Sequence, residues 1–393
     1  MVTEQLQSNN LKDLLTRSSH KAFFFFKGRV ALYAVLKSMD IQCGDEIIIP
    51  GFTCVVVPNA IKYLGAKPVY VDINPDTYNI DVTKLEELLT SHSSALTHPK
   101  AIIAQHTFGI PAEMDRIVEI ARKYNLYVIE DSCHAIGSKY KGREVGSFGD
   151  ASFFSSQWSK PITTGLGGWA VINNVTLLEK VKAVYSEFVD PTQRERILLR
   201  LQYLAYKKLF TPSLFWFAQN AYRRLSSVGI TVGSSSNEEL QSMMPADYKK
   251  TMAIWQRKLL ERNLAEIQRI NDHRREVASL YETLLGEKGI KAAVNLTEGS
   301  EPIFLRYPVM VRHKKAMLEK ARKMRIEIGD WFLSPVHPNL AGWEKVSYAR
   351  GACPIAEMIC DHIINLPTHQ GIGIKDVRKV VELFDHQDAM LEA

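Results

Sequence analysis

The 393-residue chain predicts an α/β protein: a large domain with a mostly parallel central sheet, then a smaller C-terminal α+β domain. Through the first half, short apolar runs rich in β-branched residues alternate with helical stretches, the pattern of strand–helix–strand units. Those runs are near-continuously apolar, as expected of strands covered on both faces. After about residue 250 the pattern turns long, charged and helical, which divides the chain into a large domain over 1–250 and a smaller one over 251–393.

The elements follow in order. A glycine turn in Phe26-Lys27-Gly28-Arg29 opens an apolar-periodic helix running to Leu36. Glu46–Pro50 reads as a strand, followed by an apolar stretch ending near Leu64 and a second strand over Pro68–Asp72. Ala101–Ala104 is a third strand, Met114–Tyr124 a helix, and Tyr127–Asp131 a fourth strand. A β-rich stretch over Ser138–Ser152 returns the chain to the sheet, and Trp169–Ile172 follows. From Lys249 to Leu285 one helical pattern carries a stripe of Leu259, Leu260, Leu264, Ile267 and Ile270. A strand at Arg306–Val311 and helices at Lys314–Met324 and Lys375–Phe384 complete the chain, which contains no internal repeat.

Composition narrows the function classes. At 46% apolar and 23% charged residues, the chain is that of a globular protein. It has no apolar run of membrane-spanning length, and its polar start lacks a signal peptide's apolar core. The five cysteines are an odd number without a CxxC pair, so neither zinc, another metal nor a disulfide framework is expected, and a cytoplasmic location is. The net charge is +6, and between Arg194 and Arg224 seven bases accompany one acid, Glu195. That segment accounts for the whole excess, so the basic balance does not point to nucleic acid.

In open α/β sheets, ligands bind at the carboxyl ends of the strands. Gln105-His106, Glu130-Asp131, and Ser155 with Lys160 occupy such positions. A strand-end lysine is ordinarily a solvated surface group. Lys160, however, precedes Thr163-Thr164-Gly165 and Gly167-Gly168, which allow close backbone approach. An amine made nucleophilic by its surroundings forms a Schiff base with a carbonyl. A strand-end carboxylate is more often a cap than a catalyst, yet pyridoxal phosphate needs an anion against its ring nitrogen, and Asp131 is placed to supply one. Glycine before a helix is common; Gly28 nevertheless offers a helix N-terminus for a phosphate, and Ser155 a hydroxyl. Together these form a phosphate, amine and anion set for one cofactor.

These residues resemble the DegT-like sugar aminotransferases, pyridoxal-phosphate enzymes of fold type I. The likeness runs from about Phe25 to Phe384, apart from a basic, aromatic insertion near 190–245. Its landmarks are Gly44-Asp45-Glu46 with Pro50–Thr53, Asn59–Ile61 with Gly65–Pro68, and His106 to Gly109. They continue through Glu130-Asp131, Gly146–Asp150, Phe154-Ser155, Lys160, Thr163-Thr164-Gly165, Gly167-Gly168, and Leu366-Pro367 with Gly371. The resemblance implies a large pyridoxal-phosphate-binding domain and the smaller C-terminal one. It makes Lys160 the lysine that binds the cofactor covalently and shuttles the proton, and Asp131 the partner of the ring nitrogen. His134 matches a residue beside the ring oxygen, Ser155 a phosphate ligand, and Gly28-Arg29 the backbone phosphate clamp. Family members are homodimers with shared active sites; the position that reaches the neighbour's phosphate aligns with Lys249. Three positions depart from the family pattern: Cys54 for an aromatic residue, Gln157 for a histidine, and Arg29 for threonine or serine. Relatives with histidine for the lysine are dehydratases, a branch that Lys160 argues against.

The expected reaction is a ping-pong transamination from an amino acid, glutamate, to a nucleotide-linked keto-sugar in surface polysaccharide or glycoconjugate biosynthesis. Arg306, Lys249 and Lys27 are candidates for the sugar's diphosphate. The alternatives are another fold-type I reaction, such as decarboxylation or sulfur handling, and a non-catalytic membrane-associated scaffold. The scaffold reading rests on 194–224, where Arg196, Arg200 and Lys207 share one helical face and Leu198, Leu201, Ala205 and Leu209 another. Beyond Thr211-Pro212, Leu214–Phe217 and Arg223-Arg224 complete a segment suited to peripheral membrane contact. The same residues equally suit a dimer contact, an active-site cover or a role in substrate entry.

Overall fold

Five parallel strands lie side by side in the order Lys67–Val71, Glu46–Pro50, Pro99–Gln105, Tyr127–Asp131 and Ala151–Ser155. Gly168–Ile172 pairs antiparallel with Ala151–Ser155, and Ala22–Phe25 pairs antiparallel with Gly168–Ile172. One strand of the seven therefore runs against the rest. This computed structural model describes residues 21–90, 96–209, 233, 235–290, 294–338, 342–385 and 388.

Both faces of the sheet are covered, which explains the unbroken apolar strands. On one face lies helix Gly28–Ser38, ten of whose eleven residues are buried. It is wrapped by sheet residues such as Ile47, Ile103 and Phe153 and by helix Leu178–Tyr185, so it has no polar stripe. On the other face, Met114, Ile117, Ile120 and Ala121 of helix Met114–Lys123 pack against Ile48, Ile102, Ala104 and Val128.

The pattern read as one helix from Lys249 is two. Lys250 and Thr251 are extended and bridge Val189 and Phe25. Helix Ile254–Ala265 follows, and helix Ile267–Glu287 begins after Glu266. The break separates duties to two cores. Leu260 and Leu264 pack with Phe154, Trp169 and Met252. Val277, Ala278, Tyr281 and Leu285 pack instead on the antiparallel pair Arg306–Met310 and Ile363–Pro367, with helices Lys314–Met324 and Ile374–Val381. The last helix ends at Val381, but Leu383 and Phe384 stay buried, so the apolar period outruns the helix.

The basic segment opens with helix Gln193–Leu209; the remainder of its expected span, residues 210–224, lies outside the described residues. The helix is turned differently from the expected apolar face of Leu198, Leu201 and Ala205. Leu199 and Tyr203 are buried, while Leu201 is 57% exposed and Ala205 is also exposed. Leu199 is drawn inward by Phe26, Leu166, Trp158 and Trp255, and Tyr203 lies against Trp255. Among the described residues, no helix is long and apolar enough to cross a membrane.

Candidate active site

Strand register assembles the site. Phe25 lies opposite Gly168, and Gly168 opposite Ser155. From Phe25 the chain passes through Phe26-Lys27 into helix Gly28–Ser38, whose N-terminus has no side-chain cap and no acid in its first turn. Two glycines permit this approach. A Cβ on Gly168 would lie 2.3 Å from Gly28 Cα and N, and one on Gly28 would lie 3.0 Å from the Phe154 oxygen and Ser155 Cβ. The free N–H groups of a helix start, beside the Ser155 hydroxyl, make an anion cup.

Lys160 stands on a loop tied across its base by hydroxyls. The Ser156 and Thr164 hydroxyls are 2.7 Å apart, Thr163 Oγ1 donates to the Ser156 carbonyl at 3.2 Å, and Thr164 Oγ1 to that of Leu166 at 2.8 Å. From helix Ile254–Ala265, Asn263 Nδ2 donates to the Thr163 carbonyl at 2.9 Å. The Lys160 ammonium lies over the Trp331 ring, 5.5 Å from its centroid.

Asp131, at the end of its strand, is buried and accepts the Cys133 N–H at 3.0 Å. Burial pushes its carboxyl up, against the anion-stabilising pull of that N–H and of the Lys160 charge. His134 stacks on Trp331 with centroids 5.7 Å apart, and its Nδ1 is buried without a hydrogen-bond partner among the described residues. Burial, with the charges of Lys160 and Arg306, holds His134 well below the usual imidazole range and therefore neutral.

The model of the DegT/DnrJ/EryC1/StrS aminotransferase family matches residues 18–210 and 216–385. The chain belongs to this aminotransferase family. It is 29% identical over 370 residues to a GDP-perosamine synthase of Caulobacter vibrioides, covering 91% of this chain and 83% of that protein. It is 28% identical over 357 residues to a dTDP-3-amino-3,6-dideoxy-alpha-D-galactopyranose transaminase of Aneurinibacillus thermoaerophilus, covering 90% and 82%. In fold it resembles a putative sugar aminotransferase from Streptococcus pneumoniae, solved in its PLP form, with TM-score 0.68 and 21% identity over 94% of this chain and 89% of that one. The mostly parallel sheet and the smaller α+β part belong to the fold it shares with that structure.

Not every strand-end residue of this aminotransferase faces the cleft. Glu130 accepts the N–H groups of Gly146, Phe148 and Gly149 at 2.6, 2.6 and 2.8 Å, and so shapes that turn. His106 Nδ1 accepts the Ala112 N–H at 3.1 Å, which leaves Nε2 to donate to Glu130 at 3.2 Å. Gln105 is spent on Phe52, Thr53 and Thr107. These three are scaffold.

The candidate bases also separate. Lys249 donates to Glu187 at 3.0 Å rather than to the cup of its own chain. Lys27 and Arg29 both reach Glu239, at 3.2 and 2.8 Å, and Arg29 also donates to Ser235 at 3.0 Å. Arginine at position 29 is thus explained by a carboxylate from the far end of the insertion, and only its backbone is available to the cup. Sequence reasoning missed Glu239 and Trp331. The capping pattern Ser236–Glu239 was legible as a helix start, but Glu239's ion pairs join positions more than 200 residues apart. Trp331 had no local signal; it matters because it meets His134 and Lys160 across the fold.

Proposed function

We propose that this aminotransferase moves an amino group from glutamate to a nucleotide-activated keto-sugar, using pyridoxal 5'-phosphate, for surface polysaccharide or glycoconjugate synthesis. The observation that carries the reading is the meeting of Lys160, buried Asp131 and the Gly28–Ser155 anion cup at one sheet end. The residues suit this cofactor. The cup takes a phosphate on the N–H groups of Gly28 and Arg29 and the Ser155 hydroxyl. Among the described residues Asp131 has no hydrogen-bonded cation in its buried pocket, and it would gain one in a protonated ring nitrogen. His134 Nδ1, buried and without a partner among the described residues, suits the ring hydroxyl.

When bound, the cofactor supplies the carbonyl that condenses with amines and the sink for the electron pair of the α-carbon. Lys160 would accept the α-proton of the donor on Nζ and return it. Asp131 would hold positive charge at the ring nitrogen. The same groups run the second half in reverse on the keto-sugar. The nucleotide-sugar acceptor is supported by the aminated nucleotide sugars in the names of the Caulobacter and Aneurinibacillus relatives. A homodimer would bring Lys249 of a second copy to the cup. Purified enzyme should lose its cofactor absorbance with glutamate and regain it with 2-oxoglutarate, then pass labelled nitrogen to a nucleotide keto-sugar. No spectral response to any amino acid would overturn the reading.

A peripheral membrane role is favoured by one observation. Helix Gln193–Leu209 exposes Ile197, Leu201 and Leu204, at 56%, 57% and 50%, among the exposed bases Arg194, Arg200, Lys207 and Lys208. Its inner face touches the active-site loops through Leu199, so attachment there would set the enzyme's cleft close to the membrane.

A further inference from the structure

The loop that carries Lys160 is tied at its base by Ser156, Thr163 and Thr164, but its tip is held from elsewhere. The Lys160 N–H donates to the Gln157 carbonyl at 3.0 Å, so Gln157–Lys160 is a hydrogen-bonded turn with Trp158 at its second position. The Trp158 ring lies against Gly165 on the returning limb, where a Cβ would stand 3.1 Å from Trp158 Cη2. Tyr206, from helix Gln193–Leu209, meets the same tryptophan twice. The two rings pack with centroids 5.0 Å apart, and the Tyr206 hydroxyl donates to the Trp158 carbonyl at 3.3 Å. Leu199, seven residues earlier on the same helical face, packs in one cluster with Trp158 and Leu166. Burial raises the Tyr206 phenol, which therefore stays a neutral donor. Trp158 Nε1 is buried without a hydrogen-bond partner among the described residues, so the indole is held by packing.

We propose that Tyr206 is a positioning residue for Lys160: by gripping Trp158, helix Gln193–Leu209 fixes the turn on which the lysine stands. Among the described residues the Lys160 ammonium has the Trp331 ring but no hydrogen bond or ion pair, so its place depends on its backbone. A reacting group displaced by about 1 Å can cost about 100-fold in rate. This role belongs to the buried face of the helix and does not need the exposed Ile197, Leu201 and Leu204. It rests on the reading of Lys160 as the reacting amine.

The test compares the parent with Tyr206→Ala, Tyr206→Phe and Met317→Ala, the last a control for general destabilisation in the separate core of the smaller domain. Hydrogen exchange of the segment 157–165 is followed without cofactor. The pH midpoint of the visible absorbance and the single-turnover rate with glutamate are followed with it. Tyr206→Ala should speed exchange of that segment about tenfold and shift the midpoint. It should also lower the saturating rate about 10–100-fold, with half-saturating glutamate within about twofold of the parent. Tyr206→Phe keeps the ring contact without the hydroxyl and should fall between; if Tyr206→Ala does not fold, Tyr206→Phe decides by the same readouts. Met317→Ala should lower the urea midpoint and leave the other readouts at parent values. Parent-like exchange in the deciding Tyr206 variant, the same response from Met317→Ala, or a loss confined to half-saturation would each overturn the proposal. A parent enzyme unresponsive to any amino acid would instead overturn the transamination reading beneath it, and the exchange result would still judge the grip on the turn.

Discussion

Arg29 donates to Glu239 at 2.8 Å across 210 residues of sequence, and both side chains are buried. Burial alone would raise the Glu239 carboxyl, yet Arg29 and Lys27 bring it below the ordinary range. The exit of the insertion is thereby fastened to the turn that presents Gly28. Glu239→Gln would leave two bases without their counter-charge, and the expected loss is about 3–5 kcal/mol of unfolding free energy, read by urea titration. A loss within the scatter of surface substitutions would mean that the cluster is not structural.

Lys160→Ala should abolish the visible absorbance of the cofactor–lysine bond and the turnover, while far-ultraviolet circular dichroism stays that of the parent. The loop is tied by Ser156, Thr163 and Thr164, not by the lysine side chain, so the fold does not depend on it. Retained activity would remove Lys160 from the mechanism.

Asp131→Asn should leave the cofactor bound, since Gly28 and Ser155 are untouched, but slow proton abstraction by orders of magnitude. Pre-steady-state absorbance with deuterated glutamate reads this step. A loss under about tenfold, roughly 1.4 kcal/mol of barrier, would sink the assignment.

His337 pairs in parallel with Cys54, and its Nδ1 accepts the Leu333 N–H at 3.2 Å. Burial lowers its pKa from 6.5 to about 4. The folded chain refuses a proton that the unfolded chain takes, so this contribution to stability is full above pH 6.5 and is lost as pH falls toward about 4. His134 acts in the same direction. Chemical denaturation between pH 7 and 5 should show a smaller slope with pH in His337→Asn, whose side-chain oxygen keeps the Leu333 bond. Superimposable slopes would be the contrary result.

For the membrane role, exchanging Arg194, Arg200, Lys207 and Lys208 for glutamine should lower co-sedimentation with anionic vesicles, each base near such a surface being worth about 1 kcal/mol. High salt should release part of the parent protein. Sedimentation that is equal with and without anionic lipid would exclude charge-driven attachment.

The strands, the mostly parallel character of their sheet and the candidate set Gly28, Asp131, Ser155 and Lys160 could be read from the chain because each leaves a local mark. Strands covered on both faces are unbroken apolar runs, and the phosphate, amine and anion groups sit where those runs end. The turn of helix Gln193–Leu209 could not be read, because its sequence offers two apolar stripes. Contacts with Phe26, Trp158 and Trp255 selected Leu199 and Tyr203 for burial. The break at Glu266 was hidden for a similar reason: a continuous helical period does not reveal that its two ends serve different cores.

The sequence by itself determined the fold class and the family, and marked Lys160 as the candidate for covalent chemistry, since these rest on periodicity and on motifs within one or two elements. Only the tertiary structure decided which charges are free to act. Lys27, Arg29, Lys249 and Arg306 are equivalent bases in the sequence, yet Glu239 neutralises the first two and Glu187 engages the third. Arg306 is left against Trp331 without an ion pair among the described residues. An ion pair falls off over a few ångströms of space rather than of sequence, so charge availability is settled only when distant segments meet.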